Sequence, residues 1–156
     1  EVMKRAPERV AKLALLNTTA RPDSMEKRER RLKMIEEASQ GRFPGVVKSL
    51  AEAFVLSPSL RADVEKMFYE VGSRAFINQE RAMLLRGDCH SMLPSIRCPT
   101  LVVHALNDRV FTLEEHLELS DSMKNATLSC VENSGHMSPL ENPEAVTSLL
   151  LRWLKS

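Results

Sequence analysis

With 156 residues, 43% hydrophobic and 28% charged, the chain has the composition of one soluble globular domain with a core of its own. Its 22 basic and 21 acidic residues leave a formal charge of +1, and the densest basic run, Lys27-Arg28-Glu29-Arg30-Arg31, holds an acid inside it. That argues for a solvated helix face and against a nucleic-acid or anionic-membrane surface.

No apolar stretch approaches the roughly 18 residues that a membrane span requires, and no secretory leader opens the chain. The three scattered cysteines, Cys89, Cys98 and Cys130, suit a reducing cytoplasm better than a disulfide framework. The chain opens at Glu1 directly on a helical pattern, which reads as a cut within a longer protein. Residues 1–11 read as the end of a helix that Pro7 breaks or kinks. Leu13-Ala14-Leu15-Leu16, closed by Asn17-Thr18-Thr19, reads as a strand buried on both faces.

From Asp23 to Gly87 the patterns are helical. Asp23 can cap the first helix, with Glu26 completing a capping box and Gly41 ending it. Val47, Leu50, Ala51 and Phe54 form the stripe of a second. Beyond Pro58, a third has Leu60, Val64, Met67, Phe68 and Val71 on one face. A fourth, Ser73 to Arg86, turns Phe76, Ile77, Met83 and Leu84 inward. After Pro94 the period changes again. Thr100–Ala105 is a β-branched apolar run entered through Pro99, hence a buried strand. Thr112 and Glu115 form a capping box opening a helix to about Met123, and Thr127–Val131 is a further strand. Asn142-Pro143-Glu144 caps a terminal helix bearing Val146, Leu149, Leu150 and Trp153. Strands alternating with helices predict an α/β fold with a parallel sheet, interrupted by a four-helix insertion.

In parallel sheets the reactive groups sit in loops leaving the carboxyl ends of strands. Two such loops carry titratable groups: Leu106-Asn107-Asp108-Arg109 and Asn133-Ser134-Gly135-His136. The crossover between them puts both at the same sheet edge, where the Asp108 carboxylate can orient the His136 imidazole and stabilise its charged form. Each residue alone is ordinary, since an Asp after a strand is commonly a turn former or helix cap. The joint spacing singles them out.

The stretches "IRCPTLVVHALND" and "SGHMSPLENPEAVTSLLLRWL" resemble the C-terminal signature of the α/β-hydrolase superfamily. "RVAKLALLNTTARPD" resembles the strand just past that family's nucleophile helix. The resemblance implies the C-terminal portion of that fold, with three mostly parallel strands, flanking helices and a four-helix cap. Residues 1–22 would be the end of the nucleophile helix plus a core strand, residues 23–94 the cap, and residues 95–156 the core elements bearing the acid and the histidine. It also implies a serine-type hydrolase of a small ester, lactone or related carbonyl compound, with Asp108 and His136 in the catalytic roles. Asp108 before His136 obeys the family's chain order. Ala105 stands where relatives often have Gly.

The nucleophile is the departure. Of five glycines, only Gly41 and Gly45 have the spacing of a G-x-S-x-G elbow, and Phe43 lies between them. These residues alone are therefore expected to be inactive. The alternative is a non-catalytic truncated module acting through protein association. An unpaired Leu13–Leu16 edge predicts self-association or pairing with the missing N-terminal half. Cys89, His90, Cys98 and His104 match no zinc spacing, so neither metal nor cofactor is expected. His116 is expected on a helix surface, and Ser91, Ser134 and Ser138 to bond locally. Met67, Phe68, Phe76 and Met83 are read as helix packing first and pocket lining second.

Overall fold

A computed structural model describes all 156 residues, which form two compact units: Glu1–Ala20 with Cys89–Ser156, and Arg21–Asp88. In the first unit a single helical turn, α1 (Val2–Arg5), is followed by a 3-10 turn at Pro7–Arg9, the break that Pro7 foretells. Three parallel strands follow in chain order: β1 (Leu13–Leu16), β2 (Thr100–Ala105) and β3 (Ala126–Val131), lying side by side as β1-β2-β3. The register pairs Leu13 with Thr100 and Thr100 with Ala126, so the carboxyl ends of β2 and β3 finish together at Ala105 and Val131.

All six residues of β2 are buried, as expected of a central strand covered on both faces. Alternation splits its side chains between two cores. Val102 packs with Leu119 and Met123 on and just beyond helix α6 (Leu113–Asp121), and with Leu93 and Ile96. Leu101 and Val103 pack with Val131 and with Val146, Leu149 and Trp153 of α8 (Pro143–Lys155). Both helices start where the sequence indicates. Thr112 and Glu115 form a reciprocal capping box, and the Asn142 side chain accepts from the Ala145 N–H ahead of Pro143 at the first helical position. A one-turn helix, α7 (Ser138–Glu141), precedes α8. Residues 89–95 belong with the sheet, and the Cys89 N–H bonds the Ala20 carbonyl at 2.9 Å.

The second unit is helical throughout: α2 (Met25–Ser39), α3 (Phe43–Phe54), α4 (Arg61–Val71) and α5 (Ser73–Leu84). Val46, Val47, Leu50 and Phe76 make its core. Rings of Phe43, Phe76, Phe68 and Phe54 follow one another at centroid distances of 5.4, 6.1 and 5.9 Å, the spacing at which tilted aromatic pairs attract.

Two expectations need correcting here. Ser24, not Asp23, caps α2: its Oγ accepts from the Lys27 N–H. Asp23 is instead buried as an ion-pair acceptor for Arg31 and Arg86, and Arg31 also bonds Glu80 at 2.8 Å. A buried carboxylate flanked by two guanidiniums satisfies more charge than a cap would. The predicted stripe of α4 is also too wide. Val64 is buried and Phe68 meets Phe54, but Met67 and Val71 are exposed at 47% and 43%. No helix in either unit is long and apolar enough to cross a membrane.

Candidate active site

β2 ends at Ala105 and the chain turns at once: the Asp108 N–H bonds the Ala105 carbonyl at 3.0 Å, while the Leu106 N–H reaches across to Val131 at 2.9 Å. Asp108 then folds its own loop. Its Oδ1 accepts from the backbone N–H of Val110 (2.7 Å) and Phe111 (3.3 Å), an Asx-type turn that leaves Oδ2 pointing elsewhere. That oxygen lies 3.1 Å from Nδ1 of His136. The Asp108 side chain is wholly buried and His136 is 19% exposed, so the acid is sealed beneath a ring that still meets solvent.

The His136 loop is held by its backbone. After β3 the chain passes Asn133 in a left-handed conformation (φ 52°), and the Ser134 carbonyl accepts from the Asn107 N–H at 3.1 Å. The buried Gly135 donates its N–H to the Glu141 carboxylate, which stands on α7. The Phe111 ring packs against the imidazole at 5.7 Å. The two loops therefore brace each other directly.

Burial by itself raises the Asp108 pKa. The bond from His136, the Val110 N–H, the charge on His136 when protonated and the Phe111 N–H together outweigh burial and hold the carboxyl below the usual carboxylate value. An ionised carboxylate can only accept, so the proton on the facing ring nitrogen belongs to His136. With Nδ1 carrying that hydrogen, the lone pair of the neutral ring is on Nε2, the tautomer a general base requires.

The other candidates fall elsewhere. His116 is not on a helix surface: it is 0% exposed, with Nδ1 2.8 Å from the Thr112 carbonyl and Nε2 accepting from the Thr18 N–H at 3.1 Å. Its spacing to Leu119 and Met123 would have placed it on the inner face of α6. Its ring lies against that of His104, tilted by 48° with the centroids 4.6 Å apart. Burial, and then the neighbouring His116, push the His104 imidazole below its usual value, against the opposing pull of Asp108 and Glu114. His90 pairs with Glu118 at 3.2 Å, and no group of three or more His, Cys, Asp or Glu side chains converges as a metal site. Ser91 is exposed, Ser134 is buried with its Oγ unpartnered, and Ser138 is buried. The partner of Ser138 is not local: its Oγ receives a bond from Asn17, 121 residues away. Phe68 and Phe76 are packing residues of the helical core, Met83 is half-buried and Met67 is exposed.

Asn17 is the residue that sequence reasoning missed, having been taken only as a turn former. It stands one position beyond β1, and its carboxamide reaches Ala105, His136 and Ser138. The available signal was its place at a strand's carboxyl end, level with the loops that bear Asp108 and His136.

No protein-family profile matches the chain. Among curated proteins it is similar to AB hydrolase superfamily protein YisY of Bacillus subtilis (strain 168), 31% identical over 65% of this chain and 37% of that protein. It is also similar to a candidate carbamate hydrolase, RutD, of Caulobacter sp. (strain K31), 27% identical over 95% of this chain and 58% of that protein. Among solved structures it is similar to a thermophilic esterase from Thermogutta terrifontis, with TM-score 0.90 and 24% identity over 98% of this chain and 58% of that one. The enol-lactonase from Burkholderia xenovorans LB400 has TM-score 0.87 and 20% identity over 99% of this chain and 60% of that one. The chain thus spans between 37% and 60% of the length of these four proteins.

Proposed function

Because the chain carries the C-terminal part of the α/β-hydrolase fold, we propose that it supplies the acid and base of a serine-type hydrolase acting on a small ester, lactone or related carbonyl compound. His136 is the general base: Nε2 takes the proton of a nucleophile and returns it to the leaving group. Asp108 orients the ring and stabilises the imidazolium. The observation that carries this reading is the 3.1 Å contact between a buried carboxylate and a partly exposed imidazole at the carboxyl ends of adjacent parallel strands. The names of the similar proteins, an esterase and an enol-lactonase among them, favour acyl chemistry.

These 156 residues contain no G-x-S-x-G, so the nucleophile and its oxyanion donors belong to another segment of the full gene product. We read Arg21–Asp88 as the helical cap. β1 is an edge strand, and its outer side is the place for a further strand or a second copy. The residues shown here, assayed alone, are expected to be inactive.

The test is turnover of an activated ester by the full gene product, its His136→Ala variant, and the 156-residue chain. Loss of the nucleophile or base costs about a million-fold in subtilisin. Turnover is expected only in the unmodified full protein. Full activity in His136→Ala ends the proposal, and a full protein that hydrolyses no ester, thioester or lactone favours a non-catalytic module.

A further inference from the structure

We propose that Asn17 is a positioning residue for the His136–Asp108 pair, its carboxamide locking the His136 loop to the root of the Asp108 turn. The assignment rests on the reading of His136 as the general base. Asn17 is 5% exposed and adopts φ 46°, the left-handed region that Asn tolerates better than most residues. Its own N–H extends the ladder by bonding the Val103 carbonyl at 2.9 Å. Its side chain then makes three bonds. Oδ1 accepts from the Ala105 N–H at 2.9 Å, and Nδ2 donates to the His136 carbonyl at 2.8 Å and to Ser138 Oγ at 2.7 Å. An amide N–H needs an acceptor and a carbonyl needs a donor, so chemistry fixes which end of the carboxamide faces which loop.

The consequence is mechanical. Ala105 is the residue whose carbonyl starts the Asp108 turn, and His136 is the ring-bearing residue itself. One planar amide joins the two, so the backbone of the base keeps a set distance from the backbone beneath the acid. A turn former needs only the left-handed φ, which Gly also supplies. A buried carboxamide with both donor hydrogens and an acceptor engaged on two separate loops goes beyond that need.

The two roles separate by substitution in the full gene product. Asn17→Gly keeps the left-handed backbone and removes the carboxamide. Asn17→Asp keeps the acceptor for Ala105 and removes both donors. Three readouts are taken: the His136 Nδ1–H proton resonance, identified by its loss in Asp108→Ala; kcat and KM on an activated ester; and thermal unfolding. A misplacement of about 1 Å costs about 100-fold in rate. Both variants are expected to lose or broaden the resonance and to fall by about that factor in kcat with KM little changed. Ser138→Ala, which keeps Asn17 and frees one of its donor hydrogens, serves should an Asn17 variant fail to fold. It is expected to lower kcat by a smaller factor with KM again unchanged.

An undiminished resonance and wild-type kcat in Asn17→Gly, or in Ser138→Ala where the Asn17 variants do not fold, overturn the role. A resonance that responds as expected, in a protein that turns over no ester, keeps Asn17 as the positioning residue and sinks the hydrolase reading instead.

Discussion

Replacing Asp108 with Asn changes one atom and leaves the shape of the site intact. The amide oxygen can still accept from the Val110 and Phe111 N–H groups, as Oδ1 does now at 2.7 and 3.3 Å, so the turn is retained. The amide nitrogen then faces His136 Nδ1 from the position Oδ2 holds at 3.1 Å. Two donors cannot share one bond, so the ring must give up its Nδ1 hydrogen, carry the proton on Nε2 and lose its base. In the chymotrypsin-type triad the same exchange lowers kcat by about 10,000-fold, or about 5 kcal/mol at 1.36 kcal/mol per tenfold. The same loss is expected for Asp108→Asn in the full gene product, measured as kcat on an activated ester. The unfolding midpoint in urea should move little by comparison. Asp108→Ala, which also strands two part-buried N–H groups, adds a stability loss of about 1 kcal/mol for each, the low end of the cost of an unpaired buried group. Activity of Asp108→Asn within tenfold of the parent refutes the reasoning, because the fold-preserving change would then have removed nothing the reaction uses.

The depressed pKa of Asp108 predicts how stability depends on pH. A carboxyl whose folded pKa lies below its unfolded value of about 3.9 stabilises the fold above that value, and the contribution fades as pH falls through the folded pKa. Urea unfolding from pH 2 to 6 should show the parent losing its advantage over Asp108→Asn only below about pH 4; an unchanging difference across that range counts against an ionised, hydrogen-bonded Asp108. In the helical unit, Asp23→Ala leaves Arg31 and Arg86 without their shared acceptor. Removing one partner of a buried pair costs about 3–5 kcal/mol, and the partial exposure of both arginines lowers the expectation to about 2–3 kcal/mol. Limited proteolysis within residues 21–88 should accelerate accordingly, and an unaltered cleavage rate would show the ion cluster to be idle.

Much of the architecture was legible in local signals. The Thr112–Glu115 capping box, the Asn142-Pro143 start of α8, the β-branched run at 100–105 and the break at Pro7 are each governed by interactions within a few residues, so one sequence suffices to read them. The pairing of Asp108 with His136 was legible for a different reason: the strand-helix-strand crossover between them leaves little choice but adjacent loops.

What the local chain could not decide is who meets whom across it. Asp23 and Ser24 are equally good caps by composition, and only the arrival of Arg31, Arg86 and their charges selects Ser24. Spacing turns His116 inward, but the donor to its buried Nε2, the Thr18 N–H 98 positions earlier, is chosen by packing alone. Asn17 reads as a turn until Ala105, His136 and Ser138 converge on its amide from 88 to 121 residues away. Caps and periods are set by neighbours along the chain, whereas the partner of a buried polar group is set by packing. Burial makes most such groups find one, Ser134 Oγ being an exception, and the identity of that partner exists only once the strands are side by side.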